Sequence, residues 1–169
     1  MATLEEIRNL AEPLKGYQFQ ITISNPAGQG ASIELMQFRC TSAAIPGNVI
    51  DEVLVELGNG TPPVRYAGKS RPVGTWTTTF IEGTDLAVVQ RVRTWQEVCN
   101  SQATGIQGEA ADYKRTATIE LLNNAKEVVQ SHRIVGLWPQ DVPDTLMDTA
   151  SSEATRYDVT WAYDYHEII

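Results

Sequence analysis

Between Arg156 and Tyr165 the chain alternates without a fault. Tyr157, Val159, Trp161, Tyr163 and Tyr165 fall on one parity, and Arg156, Asp158, Thr160, Ala162 and Asp164 on the other. Side chains of a strand point to opposite faces in turn, so this spacing predicts a strand over 156–165 with one dry face and one wet face. A row of aromatic rings on one face must be covered by another layer, which confines the chain to a packed β architecture.

Other segments agree. Tyr17, Phe19, Ile21 and Ile23 alternate with Gln18, Gln20, Thr22 and Ser24, a second half-buried strand. Residues 33–40 read as a strand of less clear facing, because Leu35, Met36 and Phe38 do not keep strict alternation. Val49 to Leu57 reads as another strand, closed by the Gly58-Asn59-Gly60 turn. Val64 to Tyr66 returns briefly, hemmed in by Pro62-Pro63 and Gly68. Trp76 to Ile81 is rich in Thr and aromatics, which suit a pleated surface. Thr116 to Leu122 and Glu127 to Val135 flank a hairpin turn at 123–126, and 101–112 and 139–154 read as loops.

Two stretches have helical spacing. Leu86, Val89, Val92, Trp95 and Cys99 recur every three to four residues, with Gln90, Arg93 and Glu97 opposite. That predicts a helix over 85–99, capped by Thr84 and favoured by Asp85 at its positive end. Thr3 and Glu6 fit a capping box, and Leu4, Ile7, Leu10, Ala11 and Leu14 share a face, so 4–11 reads as a short amphipathic helix ended by Pro13. It covers either its own domain or a neighbour. The expected class is mainly β with one main α-helix, a sandwich or barrel, in a single domain over 1–169.

Composition narrows function. The net charge is −8, from 13 Lys and Arg against 21 Asp and Glu. It argues against gripping nucleic acid through phosphates or docking on anionic membranes. From Asp141 onward there are 7 acids and one base, Arg156. No run is apolar enough to span a bilayer, and charges at Glu5, Glu6 and Arg8 interrupt any signal peptide. The two cysteines, Cys40 and Cys99, are then expected reduced and buried, and the Asn59-Gly60-Thr61 sequon unused. No dinucleotide fingerprint, Walker sequence, Gly-x-Ser-x-Gly elbow or zinc spacing is present, so no enzyme activity, metal or cofactor is expected. His132 and His166, the only histidines, are expected to be solvated or hydrogen-bonded.

Several short motifs, in order, carry a resemblance. Phe38-Arg39-Cys40 with Ile45-Pro46-Gly47 comes first. Val64-Arg65-Tyr66-Ala67-Gly68, the Thr-rich strand through Trp76 and Phe80, and the helix with Trp95 follow. Ala111-Asp112-Tyr113-Lys114, Gly136-Leu137-Trp138-Pro139 and Ala162-Tyr163-Asp164-Tyr165 complete the set. From Tyr17 to Glu167 the chain resembles the tube proteins of contractile bacteriophage tails, of the T4-like myovirus kind. The fold is shared with the tube protein of type VI secretion. His166 departs from the pattern, where an aromatic such as Trp is expected.

The resemblance implies a virion structural protein. Such subunits form hexameric rings whose sheets join into a barrel around a lumen. The rings stack into a tube inside a contractile sheath, and double-stranded DNA passes through without specific binding. Implied partners are further copies of the chain, the sheath protein, the baseplate tube initiator, the tail terminator and a tape measure protein in the lumen. The implied location is the virion tail, assembled in the host cytoplasm. A type VI or related injection-system tube is the alternative, and the strands alone also fit a monomeric β-sandwich binding module. The segment from Asn48 to Val73 resembles the family's extended loop to the adjacent ring. It begins acidic, with Asp51, Glu52 and Glu56, and turns basic, with Arg65, Lys69 and Arg71, which makes these six the stacking candidates. Lumen candidates are Gln18, Gln20, Thr22 and Ser24 on the first strand and Asp158, Thr160 and Asp164 on the last.

Overall fold

A computed structural model describes residues 13–26, 34–58, 60, 62–142 and 152–169. The helix expected over 4–11 lies outside them. In chain order the elements are β1 (Phe19–Ile23), α1 (Glu34–Arg39), β2 (Cys40–Ala43), β3 (Asn48–Val55), β4 (Val64–Pro72), β5 (Thr75–Ile81) and α2 (Ala87–Cys99). Then come α3 (Ala110–Tyr113), β6 (Arg115–Leu122), β7 (Val128–Asp141), β8 (Arg156–Ala162) and β9 (Tyr165–Ile168). The main sheet runs β1-β6-β7-β8-β5-β2, with β9 also on β7, and β3 and β4 form a separate two-stranded ribbon. The path ends on β1 and β2, so the sheet is not closed within one copy.

One strand, β7, serves two sheets. Its first part pairs with β6 on one side and β9 on the other, and from Trp138 it pairs with β8. The change comes at Gly136. Arg115 opposes Leu137 while Thr116 opposes Val135, so Gly136 is the extra residue of a bulge, at φ 75°. Bulges bend a strand and raise its twist. Here the bend folds the inner faces of both halves around one core. It also carries β7 through Pro139 to Asp141, past the loop boundary expected at 139. The C-terminal alternation is real, but it breaks at Tyr163-Asp164. The strand expected over 156–165 is two strands, β8 and β9, lying against different halves of β7.

Two other expectations change. Residues 34–39 form a helical turn rather than a strand, which explains the faulty alternation: Met36 is buried and Phe38 stands in solvent. And β4 does not stop at Gly68. The strand needs glycine there because a Cβ would lie 2.8 Å from the Asp51 carbonyl oxygen. It continues through Gly68 to Pro72.

The core gathers Ile21, Ile23, Ile119 and Ile134 from one half and Trp76, Phe80, Val159 and Trp161 from the other, with Val88, Val92 and Trp95 of α2. Three indoles meet at its centre. Trp161 lies 6.3 Å from Trp76 and 5.3 Å from Trp95, centroid to centroid. Each buried indole N–H has an acceptor: the Ala44 carbonyl for Trp76 at 2.6 Å, the Tyr113 carbonyl for Trp95 at 2.8 Å, and Thr78 Oγ1 for Trp161 at 2.8 Å.

The helix α2 is capped differently from the expectation. Its N-cap is Leu86, at φ 51° and 47% exposed, and no capping bond comes from its own side chain. Glu82 does the work from the end of β5. Its carboxylate accepts from the N–H of Gly83 at 3.0 Å, Val88 at 3.3 Å and Val89 at 2.8 Å. Arg39 donates to it at 3.1 Å and holds Asp85 in a bidentate pair at 2.8 and 2.9 Å. That guanidinium keeps the Asp85 carboxyl below its usual range. Anionic oxygens at the positive end of a helix stabilise it, and a buried one needs donors on every side.

Two outcomes test this account. Gly136→Ala forces a side chain into left-handed backbone and places its Cβ 2.1 Å from Asp164 Oδ2. It should cost about 1–3 kcal/mol in chemical denaturation of the unassembled subunit. Glu82→Ala orphans three backbone donors and leaves Arg39 with Asp85 alone, and should cost about 1–3 kcal/mol by the same measurement.

Candidate functional site: the ribbon and the polar sheet faces

The β3–β4 ribbon is the most exposed part of the fold. Every residue of β3 is exposed, and in β4 only Gly68 and Pro72 are half-buried. Its register pairs Val53 with Tyr66 and Val55 with Val64, so these four share a face. These four are three valines and a tyrosine, with Tyr66 57% exposed, and Asp51, two residues before Val53, carries the face on to its ion pair with Arg71. Glu52, Leu54, Arg65 and Ala67 take the other side. A lone two-stranded ribbon is marginal in water, and an exposed apolar strand invites association.

The stacking candidates all lie on or beside this ribbon, but four of the six charges are engaged within it. Arg65 Nη1 meets Glu52 Oε2 at 2.8 Å, and Arg71 Nε meets Asp51 Oδ1 at 2.9 Å. The acidic and basic halves read in the sequence are the two strands of one hairpin, which satisfy each other. Among the described residues Lys69 and Glu56 form no ion pair.

The lumen candidates divide. Gln20 and Thr22 alternate outward from the buried Ile21 and Ile23, opposite Glu120 and Thr118. The N–H of Ser24 continues the row by donating to the Thr116 carbonyl at 3.0 Å. Gln18 precedes the strand and instead donates through Nε2 to Asn124 at 2.8 Å, at the β6–β7 turn. On the other half, Thr160 lies opposite Thr77, and Asp158 accepts from Thr79 Oγ1 at 2.7 Å. Thr75, Thr77 and Thr79 make this outer face a row of hydroxyls. Asp164 does not belong to it. It lies past the end of β8, against Gly136, with Lys114 Nζ at 2.7 and 2.8 Å from its oxygens. A strand break that parity alone does not show moved it.

Among the described residues no three His, Cys, Asp or Glu are grouped to hold a metal. The free thiols of Cys40 and Cys99 are half-buried, and burial pushes both up to about 11. A thiol so placed stays protonated near neutrality and is a poor nucleophile. His132 Nδ1 has no hydrogen-bond partner among the described residues. The alternation of β7 turns it to the inner face, where it is buried.

A family model described as "Phage tail tube protein" matches residues 14–169. The tail tube protein gp19 of Enterobacteria phage T4 is 29% identical over 133 residues, which cover 77% of this chain and 80% of that protein. Two solved structures share the fold at 15% identity, both from an extracellular contractile injection system in its extended state. The sheath/tube terminator gives a TM-score of 0.68 over 95% of this chain and 99% of its own. The sheath–tube complex gives 0.64 over 100% and 99%. With the family match running from Leu14 to the last residue, over a β fold of the same shape, this chain belongs to the phage tail tube protein family and is a structural subunit of a viral tail tube.

Proposed function

We propose that six copies close into a ring, that rings stack into a hollow tube within a contractile sheath, and that viral double-stranded DNA passes through the lumen. Head-to-tail contacts that close by rotation produce such rings. The observation that carries the reading is the β3–β4 ribbon, whose Val53, Val55, Val64 and Tyr66 form an apolar patch left exposed among the described residues. Its place is against a neighbouring copy, in the same ring or the next. Asp51, Glu52, Glu56, Arg65, Lys69 and Arg71 then surround the contact, and their internal pairing keeps the ribbon straight and its flank polar. Exposed pairs of this kind contribute only about 0–1 kcal/mol, so the apolar face supplies the affinity.

The sheath, a baseplate initiator, a terminator and a tape measure protein complete the proposed assembly, formed in the host cytoplasm. Structural likeness to an injection-system tube supports a second reading, in which the cargo is protein. DNA content of particles built on this tube separates the two.

Imaging of the purified protein at high concentration should show rings and tubes. Replacing Val53, Val55 and Tyr66 with Ser should abolish tubes while circular dichroism stays native. Reversing Arg65 and Arg71 to Glu should only shorten them. A persistent monomer, or normal tubes from the Ser variant, rejects the ribbon's role.

The lumen reading follows from charge. A wall of Lys and Arg would hold phosphates by counterion release, whereas hydroxyls and carboxylates do not. Gln20, Thr22 and Ser24, together with Asp158 and Thr160, are the proposed wall, with Gln18 at its rim. Six copies carry 6 × −8 = −48 charges per ring, from −8 each. Asp158→Lys should leave assembly intact and slow DNA release several-fold, read as ejection kinetics. Asp164→Lys should instead destabilise the subunit. Unaltered ejection from assembled Asp158→Lys particles would put this face on the outside.

A further inference from the structure

The C-terminal strand is held on β7 beside a cluster that lies outside the ribbon and the polar sheet faces. His132 on β7 and His166 on β9 lie with ring centroids 6.4 Å apart, and Tyr163 meets His166 edge-on at 6.1 Å. The register sets Ile168 opposite His132 and His166 opposite Ile134, so both imidazoles occupy one face. Nδ1 of each histidine and Oη of Tyr163 are buried without a hydrogen-bond partner among the described residues. Buried polar atoms nearly always have one, so three together call for a role.

We propose that His132 and His166 form an acid-sensitive latch on the C-terminal strand, holding β9 against β7 while neutral and releasing it when protonated. Like charges at this spacing, in a site poor in water, repel strongly. On the shared face the residues paired with them are Ile119, Ile134 and Ile168, none ionisable, and Tyr163 is the other titratable ring in contact. Arg133 and Glu167 pair with each other on the opposite face, where Glu120 also lies, across from Ser131. From the ribbon, β4 comes near β9, and its ionisable side chains are Arg65, Tyr66, Lys69 and Arg71. The acids of β3, Asp51 and Glu52, are engaged by Arg71 and Arg65. Glu120 faces away from the imidazoles, and the other carboxylates, Asp51, Glu52 and Glu167, are engaged by arginines.

The sign of the effect follows. Burial, and then the charge of His166, hold the His132 imidazole below its ordinary value of 6.5. The released strand therefore binds protons more readily than the docked one. Docking is fully present above the free value and is lost as pH falls through the lower, docked value. Among the described residues β9 is otherwise secured by four ladder positions, one N–H from Ile169 to the Ser131 carbonyl at 2.9 Å, the Arg133–Glu167 pair and its approach to β4.

Hydrogen exchange on the full chain at about pH 7.5 and about pH 5.0, corrected for intrinsic rate, tests the latch. Protection of Tyr165 to Ile169 should fall roughly tenfold or more in acid while β6 keeps its own. His166→Phe retains a ring without the titrating group and should keep β9 protected at both pH values. Unchanged protection in the native chain, or an equal fall in His166→Phe, overturns the proposal. A second readout needs no variant: the His132 imidazole C–H resonance of the native chain should titrate below the free value of about 6.5. Titration of His132 at or above that value with β9 still protected also overturns it.

Discussion

The fold depends on three tryptophans that meet at one point. Trp76 comes from β5, Trp95 from α2 and Trp161 from β8, and each ties its element to another through an indole N–H. A sheet bent across β7 leaves a wide space between its halves, and only large rings fill it from a few positions. Each buried ring is worth about 3–5 kcal/mol against truncation to Ala. The satisfied N–H matters as much as the area. An unpaired indole would cost much of what its burial gains, and it would leave the ring free to slide. The acceptors therefore fix where β2, α3 and β5 lie relative to the rings.

The polar surfaces follow from that core. Once Trp76, Phe80, Val159 and Trp161 point inward, alternation sends Thr75, Thr77, Thr79, Asp158 and Thr160 outward. The same rule on β1 sends Gln20 and Thr22 outward from Ile21 and Ile23. Two sheet faces with few bases result from packing alone, before any demand of a channel. The ribbon obeys a different rule. It contributes no residue to the core cluster, and its apolar side chains stay exposed among the described residues.

Much of this was legible in the sequence, and the failures have physical causes. Strands β1, β5, β6 and β8 and helix α2 were readable because each has one dry face, and burial writes a period into the residues. The Val64–Pro72 strand was cut short at Gly68, since a glycine marks either an end or a close backbone approach, and the sequence does not distinguish them. Gly136 posed the same ambiguity: the bulge it allows joins the two halves of the sheet, and nothing local announces it. Glu82 was missed because a cap three or more residues ahead of a helix has no fixed spacing. The charge reversal along 48–73 was seen, but its meaning depended on hairpin register, which pairs distant positions.

Asp164 shows how a surface residue can belong to the fold. By parity it continues the outward row of Asp158 and Thr160. In space it sits past the last residue of β8, over the glycine at which β7 bends, with Lys114 from the start of the β6 hairpin. A Cβ at Gly136 would displace it, so the glycine and the carboxylate constrain each other. The side chain thus marks the crossing where β8 leaves one half of β7 and β9 joins the other. An exposed ion pair contributes little by itself. Its place in the fold is what is informative: it lies between the end of β8 and the start of β9, where the chain passes from one half of β7 to the other.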